Sequence, residues 1–93
     1  MPLRFEWDPE KDASNRAKHG VTFDEAATAF RDPLAAIFDD AAHSASEVRE
    51  ILVGYGVSGR LLLVSFTQRA DTVVRIISAR PATRREMKAH EER

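Results

Sequence analysis

The sequence predicts an α+β fold of order β-α-α-β-β-β-β-α, an antiparallel sheet with two N-terminal helices and a C-terminal helix. Three observations carry this. Two segments in the first third of the chain have helical spacing and a capping residue at their start. Apolar runs in the second half are joined by turns too short for a crossover, so neighbouring strands must pair antiparallel. A last capped helical segment follows Pro81.

Leu3 to Trp7 alternates apolar and charged residues, the period of a half-buried strand. Asp8-Pro9 then supplies an N-cap and a proline at the first helical position. Glu10 and Asp12 in the first turn and Lys18 and His19 in the last complement the helix dipole, and Gly20 ends the helix. Only Ala13 and Ala17 are apolar here, so this helix is expected on the surface. Thr22-Phe23-Asp24-Glu25 is a capping box opening a short amphipathic helix through Phe30, which Asp32-Pro33 stops. Leu34 to Phe38 reads as a short strand and Asp39 to Ser46 as a polar, mobile loop. Strands follow at about Val48–Val57, Arg60–Gln68 and Val73–Ala79, with turns at Ser58-Gly59 and Ala70-Asp71. Pro81 blocks further pairing, and Thr83 caps a helix to about Glu92. Trp7, Tyr55 and the run Leu61–Leu63 are assigned to the core.

The 93 residues make one domain, 1–93, and with 43% hydrophobic residues it can bury a core. There is no cysteine, which excludes disulfides and thiolate metal sites and fits the cytoplasm. No apolar run approaches the roughly 20 residues of a membrane span, and the charged N-terminus does not resemble a signal peptide. No zinc, calcium or phosphate-loop pattern is present, so no cofactor or metal is expected. Net charge is −1, but residues 1–50 carry 6 basic and 11 acidic side chains and residues 51–93 carry 8 and 4. This polarity suits an anionic ligand on one side, or two halves that pair with each other.

The basic half centres on Arg75-Ile76-Ile77-Ser78-Ala79-Arg80, a strand with cations around it. Together with Phe5-Glu6-Trp7-Asp8, Lys11, Asn15, Lys18-His19-Gly20-Val21, Phe23, Ala26, Phe30 and Asp32-Pro33, it resembles the BrnT family of type II toxins. Asp40, His43, Glu47, Arg49, Gly54, Gly59-Arg60 and Ala82-Thr83-Arg84-Arg85-Glu86 extend the resemblance over about residues 4–86. It implies a RelE-like fold, ribonuclease activity that inhibits translation, and neutralisation by a BrnA-type ribbon-helix-helix antitoxin in a hetero-oligomer. Operator DNA would then be bound only through the antitoxin. Pro81 departs from the family, which often carries Lys there, and His90 falls near a frequent Tyr.

A metal-independent ribonuclease needs a base for the 2′-hydroxyl, an acid for the leaving oxygen and cations for the charge developing on phosphorus. Arginine suits the last role because its fork of donors matches phosphate. Arg80, Arg49 and Arg60 are the first candidates for phosphate contact, with Arg75, Arg84 and Lys88 extending a cationic rim. In a regular strand Arg75 and Arg80 lie on opposite faces, and a bulge or the strand end must reorient one of them. Arg80 shares its face with Ser78.

His43, within reach of Glu47 if the loop turns once, is the candidate acid or base with Glu47 as partner. Glu47 and Arg49 also form a plain surface pair. His19 is accounted for by the helix C-terminus, and His90 by a solvated helix. The alternative to an enzyme is a non-catalytic toxin-fold module that binds an antitoxin and assists operator binding. Asp24, Asp39 and Asp40 form the expected docking face for a basic partner.

Overall fold

The structure is a computed structural model that describes residues 2–43 and 47–93. Strand β1 (Arg4–Glu6) leads into helices α1 (Pro9–His19) and α2 (Phe23–Thr28), followed by a 3-10 turn at Ala29–Arg31. Strands β2 (Ala36–Asp39), β3 (Glu50–Tyr55), β4 (Leu61–Ala70) and β5 (Val73–Pro81) precede helix α3 (Arg84–Glu91). Asp8, Thr22 and Thr83 cap the three helices; the reciprocal capping box forms at Thr83 and Glu86, whereas at Thr22 only its own half forms and the Glu25 carboxylate turns to Arg60. Gly20 ends α1 at φ 70°, a conformation that costs glycine little. No helix among the described residues is long and apolar enough to cross a membrane.

The five strands form one sheet in the order β1-β5-β4-β3-β2. The pairs β2–β3, β3–β4 and β4–β5 are antiparallel, the last two across short turns, but β1 joins β5 in parallel, so the sheet is mixed. The helices between β1 and β2 return the chain to the far edge, leaving β1 free to run alongside β5. The predicted polar loop opens with a 3-10 turn at Ala41–His43, and its residues 44–46 lie outside the described residues.

One sheet face is covered by α1 and α2. Val21, Phe23, Leu62, Val64 and Ile76 are the largest of its fully buried side chains, each contributing about 1.5–3 kcal/mol by leaving water. Edge-to-face contacts link Phe5 to Phe30 and Phe30 to Phe66, and Trp7 packs against Phe23 as a core residue should. Tyr55 departs from its core assignment: it ends β3 and is 38% exposed.

Helix α1 docks by a polar group. Because β1 is only three residues long, β5 has an unpaired outer edge beyond Arg75. Asn15 fills it: its amide oxygen accepts from the Ala79 N–H at 3.1 Å, and its amide nitrogen donates to the Ala79 carbonyl at 2.8 Å. The same nitrogen also donates to the Val21 carbonyl at 2.9 Å. The expected surface alanines, Ala13 and Ala17, are indeed exposed.

Candidate active site

Pairing register sorts the β5 side chains. Ile76 opposes Phe66 and Ala79 opposes Val64, all four buried beneath the helices. Between them Ser78 opposes Ser65 while Ile77 has no partner, which is a β-bulge. The bulge resets the alternation. Arg75 opposite Thr67, Ser78 opposite Ser65 and Arg80 opposite Leu63 therefore all belong to the open face, away from α1 and α2. The regular strand expected from sequence, with Arg75 and Arg80 on opposite faces, is corrected by this single inserted residue.

Ser65 and Ser78 floor a groove on that face. It consists of two adjoining hollows of ≈ 90 and ≈ 240 Å³ that share Ile51, Ser65 and Ser78. His19, Leu63 and Arg80 bound the smaller hollow; Asp40, His43 and Arg49 bound the larger. A cationic side chain thus stands at either end of a hydroxyl-lined floor. That arrangement suits a phosphodiester, which offers anionic oxygens to guanidinium forks and weaker acceptors to hydroxyls.

Arg80 is oriented from α3. Its two terminal nitrogens each lie 2.8 Å from a carboxylate oxygen of Glu86. The Arg80 guanidinium, followed by the Thr83 backbone N–H, pulls the Glu86 carboxyl down to about 2. The pairing with Glu86 raises the pKa of Arg80, which stays a cation. At the other end, His43 Nδ1 lies 3.0 and 3.1 Å from the two Asp40 oxygens, a contact that orients the ring. Asp40 itself is tied to β3, its N–H donating to the Arg49 carbonyl at 2.9 Å. Arg49 Nε is 3.8 Å from Glu47, so the predicted surface pair is present and also edges the groove.

The other candidates fall outside this groove. Arg60 binds Glu25 through two nitrogens at 2.7 and 2.9 Å and donates to the Gly20 carbonyl at 2.7 Å. It ties the β3–β4 turn to α2 and to the end of α1, on the helix-covered face, and lowers the Glu25 pKa. Arg75 shares the open face but leans toward Glu6, 3.8 Å away. Arg84 and Lys88 are exposed on α3. His43 pairs with Asp40 rather than with Glu47. Among the described residues no three His, Cys, Asp or Glu side chains are grouped as a metal site.

Two histidines to which the sequence assigns only structural roles line hollows of the structure. His19 does end α1, yet docking of Asn15 on β5 brings it to the groove beside Arg80. His90 is half-buried rather than solvated, with its ring edge-on to Tyr55 at 6.0 Å. It helps wall an apolar cleft of ≈ 450 Å³ between α3 and the sheet. Neither position is visible in helical periodicity, because both depend on where a helix sits on the sheet.

This fold is similar to a known one. The crystal structure of the Brucella abortus ribonuclease toxin, BrnT, superposes with a TM-score of 0.69 at 24% sequence identity. The match covers 88% of this chain and 99% of that one. No curated protein sequence matches. The model of the family described as ribonuclease toxin, BrnT, of type II toxin-antitoxin system matches residues 7–86. That span takes in both helices of the covered face, the whole sheet beyond β1 and the Arg80–Glu86 pair, and the chain belongs to this BrnT family of ribonuclease toxins.

Proposed function

We propose that this chain is a metal-independent endoribonuclease that cleaves RNA in the cytoplasm, inhibits translation, and is neutralised by a BrnA-type ribbon-helix-helix antitoxin. The observation that carries the reading is the groove in which Arg80, Arg49 and the His43–Asp40 pair surround the facing serines of β4 and β5, in a family of ribonuclease toxins.

The reaction that fits is internal transfer. The ribose 2′-oxygen forms a bond to phosphorus as the bond from phosphorus to the 5′-oxygen breaks, leaving a cyclic phosphate and a free 5′-hydroxyl. The 2′-proton passes to a base and a proton is delivered to the leaving oxygen. His43, oriented by Asp40, is the group for proton transfer, with Glu47 close by through Arg49. Arg80 and Arg49 face the charge gathering on the phosphoryl oxygens, the role in which fixed cations lower a barrier most. Arg75, Arg84 and Lys88 supply weaker, longer-range attraction for the polyanion.

The antitoxin would bind as the second member of a hetero-oligomer and carry the operator contact. Asp24 and Asp39 are exposed for a basic segment of that partner, whereas Asp40 is turned toward His43.

One observation favours a second reading, a non-catalytic module that only pairs with the antitoxin: both forks of Arg80 are already occupied by Glu86. Expression without a partner separates the two. An active toxin stops growth, and purified protein cuts single-stranded RNA in EDTA. A non-catalytic module leaves growth and RNA intact while still binding the antitoxin.

A further inference from the structure

Helix α1 carries a feature that the proposed reaction leaves unused. Lys11, Asn15, Lys18 and His19 are spaced i, i+4, i+7 and i+8, so they line one face of the helix. That face is fixed, because Asn15 is bonded to both backbone groups of Ala79. Lys11 and Lys18 therefore straddle the point where α1 meets β5. Between the helix and the bulge lies a hollow of ≈ 210 Å³ bounded by Lys11, Ser14, Lys18, His19, Ile77 and Ser78. It adjoins the smaller hollow of the groove, with which it shares His19 and Ser78 as lining. It also meets the larger one through Ile77 and Ser78.

The cations of this hollow differ from the paired arginines of the sheet and its turns. Arg80, Arg60 and Arg75 each have a carboxylate partner within 4.0 Å. Lys11 and Lys18 form no ion pair among the described residues, and no carboxylate lines the hollow. Both lysines are exposed. Two uncompensated ammonium groups about 10.5 Å apart along the helix axis, with hydroxyls between them, match a backbone that repeats its charge along its length. A compact anion would use one of them; a strand uses both.

We infer that Lys11 and Lys18 form a phosphate track for single-stranded RNA, holding the backbone next to the nucleotide that occupies the Arg80–Ser78 end of the groove. The inference rests on the ribonuclease reading and names the path of its substrate. The lysines bind and position; they take no part in the proton transfers.

The test measures binding of the full chain to a 2′-O-methyl oligoribonucleotide, which lacks the attacking hydroxyl, by fluorescence anisotropy across 50–300 mM salt. Each lost phosphate contact lowers the slope of log affinity against log salt by about 0.7. Lys11→Ala/Lys18→Ala is expected to lower it by about 1.4 and to weaken binding severalfold at low salt. The double variant should also raise KM for cleavage of the natural RNA while kcat changes little. Arg31→Ala/Arg69→Ala removes the same charge elsewhere and is expected to leave the slope near that of the unaltered chain. Circular dichroism confirms folding, and Lys11→Arg/Lys18→Arg should restore the slope. An unchanged slope in the alanine variant, an equal loss in the control variant, or no RNA binding by the unaltered chain overturns the track. RNA binding with the expected slopes but no cleavage of natural RNA overturns the ribonuclease reading alone.

Discussion

Arg80 and Glu86 meet fork to fork, each terminal guanidinium nitrogen 2.8 Å from its own carboxylate oxygen. The same carboxylate accepts from the Thr83 N–H at 2.9 Å, so one side chain caps α3, docks it on the sheet and aims the principal cation of the groove. The pair pins α3 to the sheet, and under the proposed function an RNA phosphate would have to take over donors that Glu86 now holds.

The pair predicts an acid limit. With its carboxyl held near 2, Glu86 is depressed below its ordinary value of 4.5. Its contribution is complete above about pH 4.5 and is lost as pH falls toward 2. Because Arg80 is partly exposed, the contribution discounts to on the order of 1 kcal/mol. Urea denaturation between pH 6 and 2.5 should show the unaltered chain losing this increment, and Glu86→Gln should show a flatter profile over that window.

Asn15 predicts a larger effect. Asn15→Ala leaves the Ala79 N–H and C=O buried without their partner, at a cost of about 1–3 kcal/mol per unsatisfied group. Thermal unfolding of this variant should fall well below that of Ala13→Gly, which touches only an exposed helix position. Asn15→Asp sets a buried carboxylate against the Ala79 and Val21 carbonyls and should fall at least as low as Asn15→Ala at neutral pH.

At Gly54 a side chain has nowhere to go. A Cβ there would stand 2.9 Å from the Ala29 carbonyl oxygen and 3.1 Å from Ala35 Cβ. Gly54→Ala should cost about 1–3 kcal/mol through backbone shifts, read as a lower urea midpoint with an unchanged m-value.

Arg60 is predicted to act on stability through Glu25. A double-mutant cycle over Arg60→Ala and Glu25→Ala should return a coupling near the upper end of surface pairs, about 1 kcal/mol. Their bidentate contact is reinforced by the Gly20 carbonyl. A coupling near zero would show that the turn is held by other contacts.

Local chemistry was legible. Asp8, Thr22 and Thr83 announced three helices, Gly20 one end, and the β-branched run at 73–77 a strand. The sequence marks Arg80, Arg49 and His43 by residue type, and the structure sets Arg80 at one hollow and Arg49 with His43 at the adjoining one. What stayed hidden depends on tertiary placement. The bulge at Ile77 has no glycine or other local mark, yet it moves Arg75 and Arg80 to one face. Asn15 looked like one more polar residue of a surface helix, and only the shortness of β1 makes it a strand partner. Arg60 resembled a phosphate ligand because the sequence does not reveal that Glu25 lies across the turn from it.

The most direct test of the account is the cleavage rate of a single-stranded RNA in EDTA by purified unaltered chain and by Arg80→Ala, both shown to be folded. Loss of an oriented cation facing the developing phosphoryl charge should lower kcat by roughly 10²–10³-fold and relieve growth arrest on expression. A folded Arg80→Ala chain that cleaves RNA at the unaltered rate would contradict the placement of the reaction in this groove.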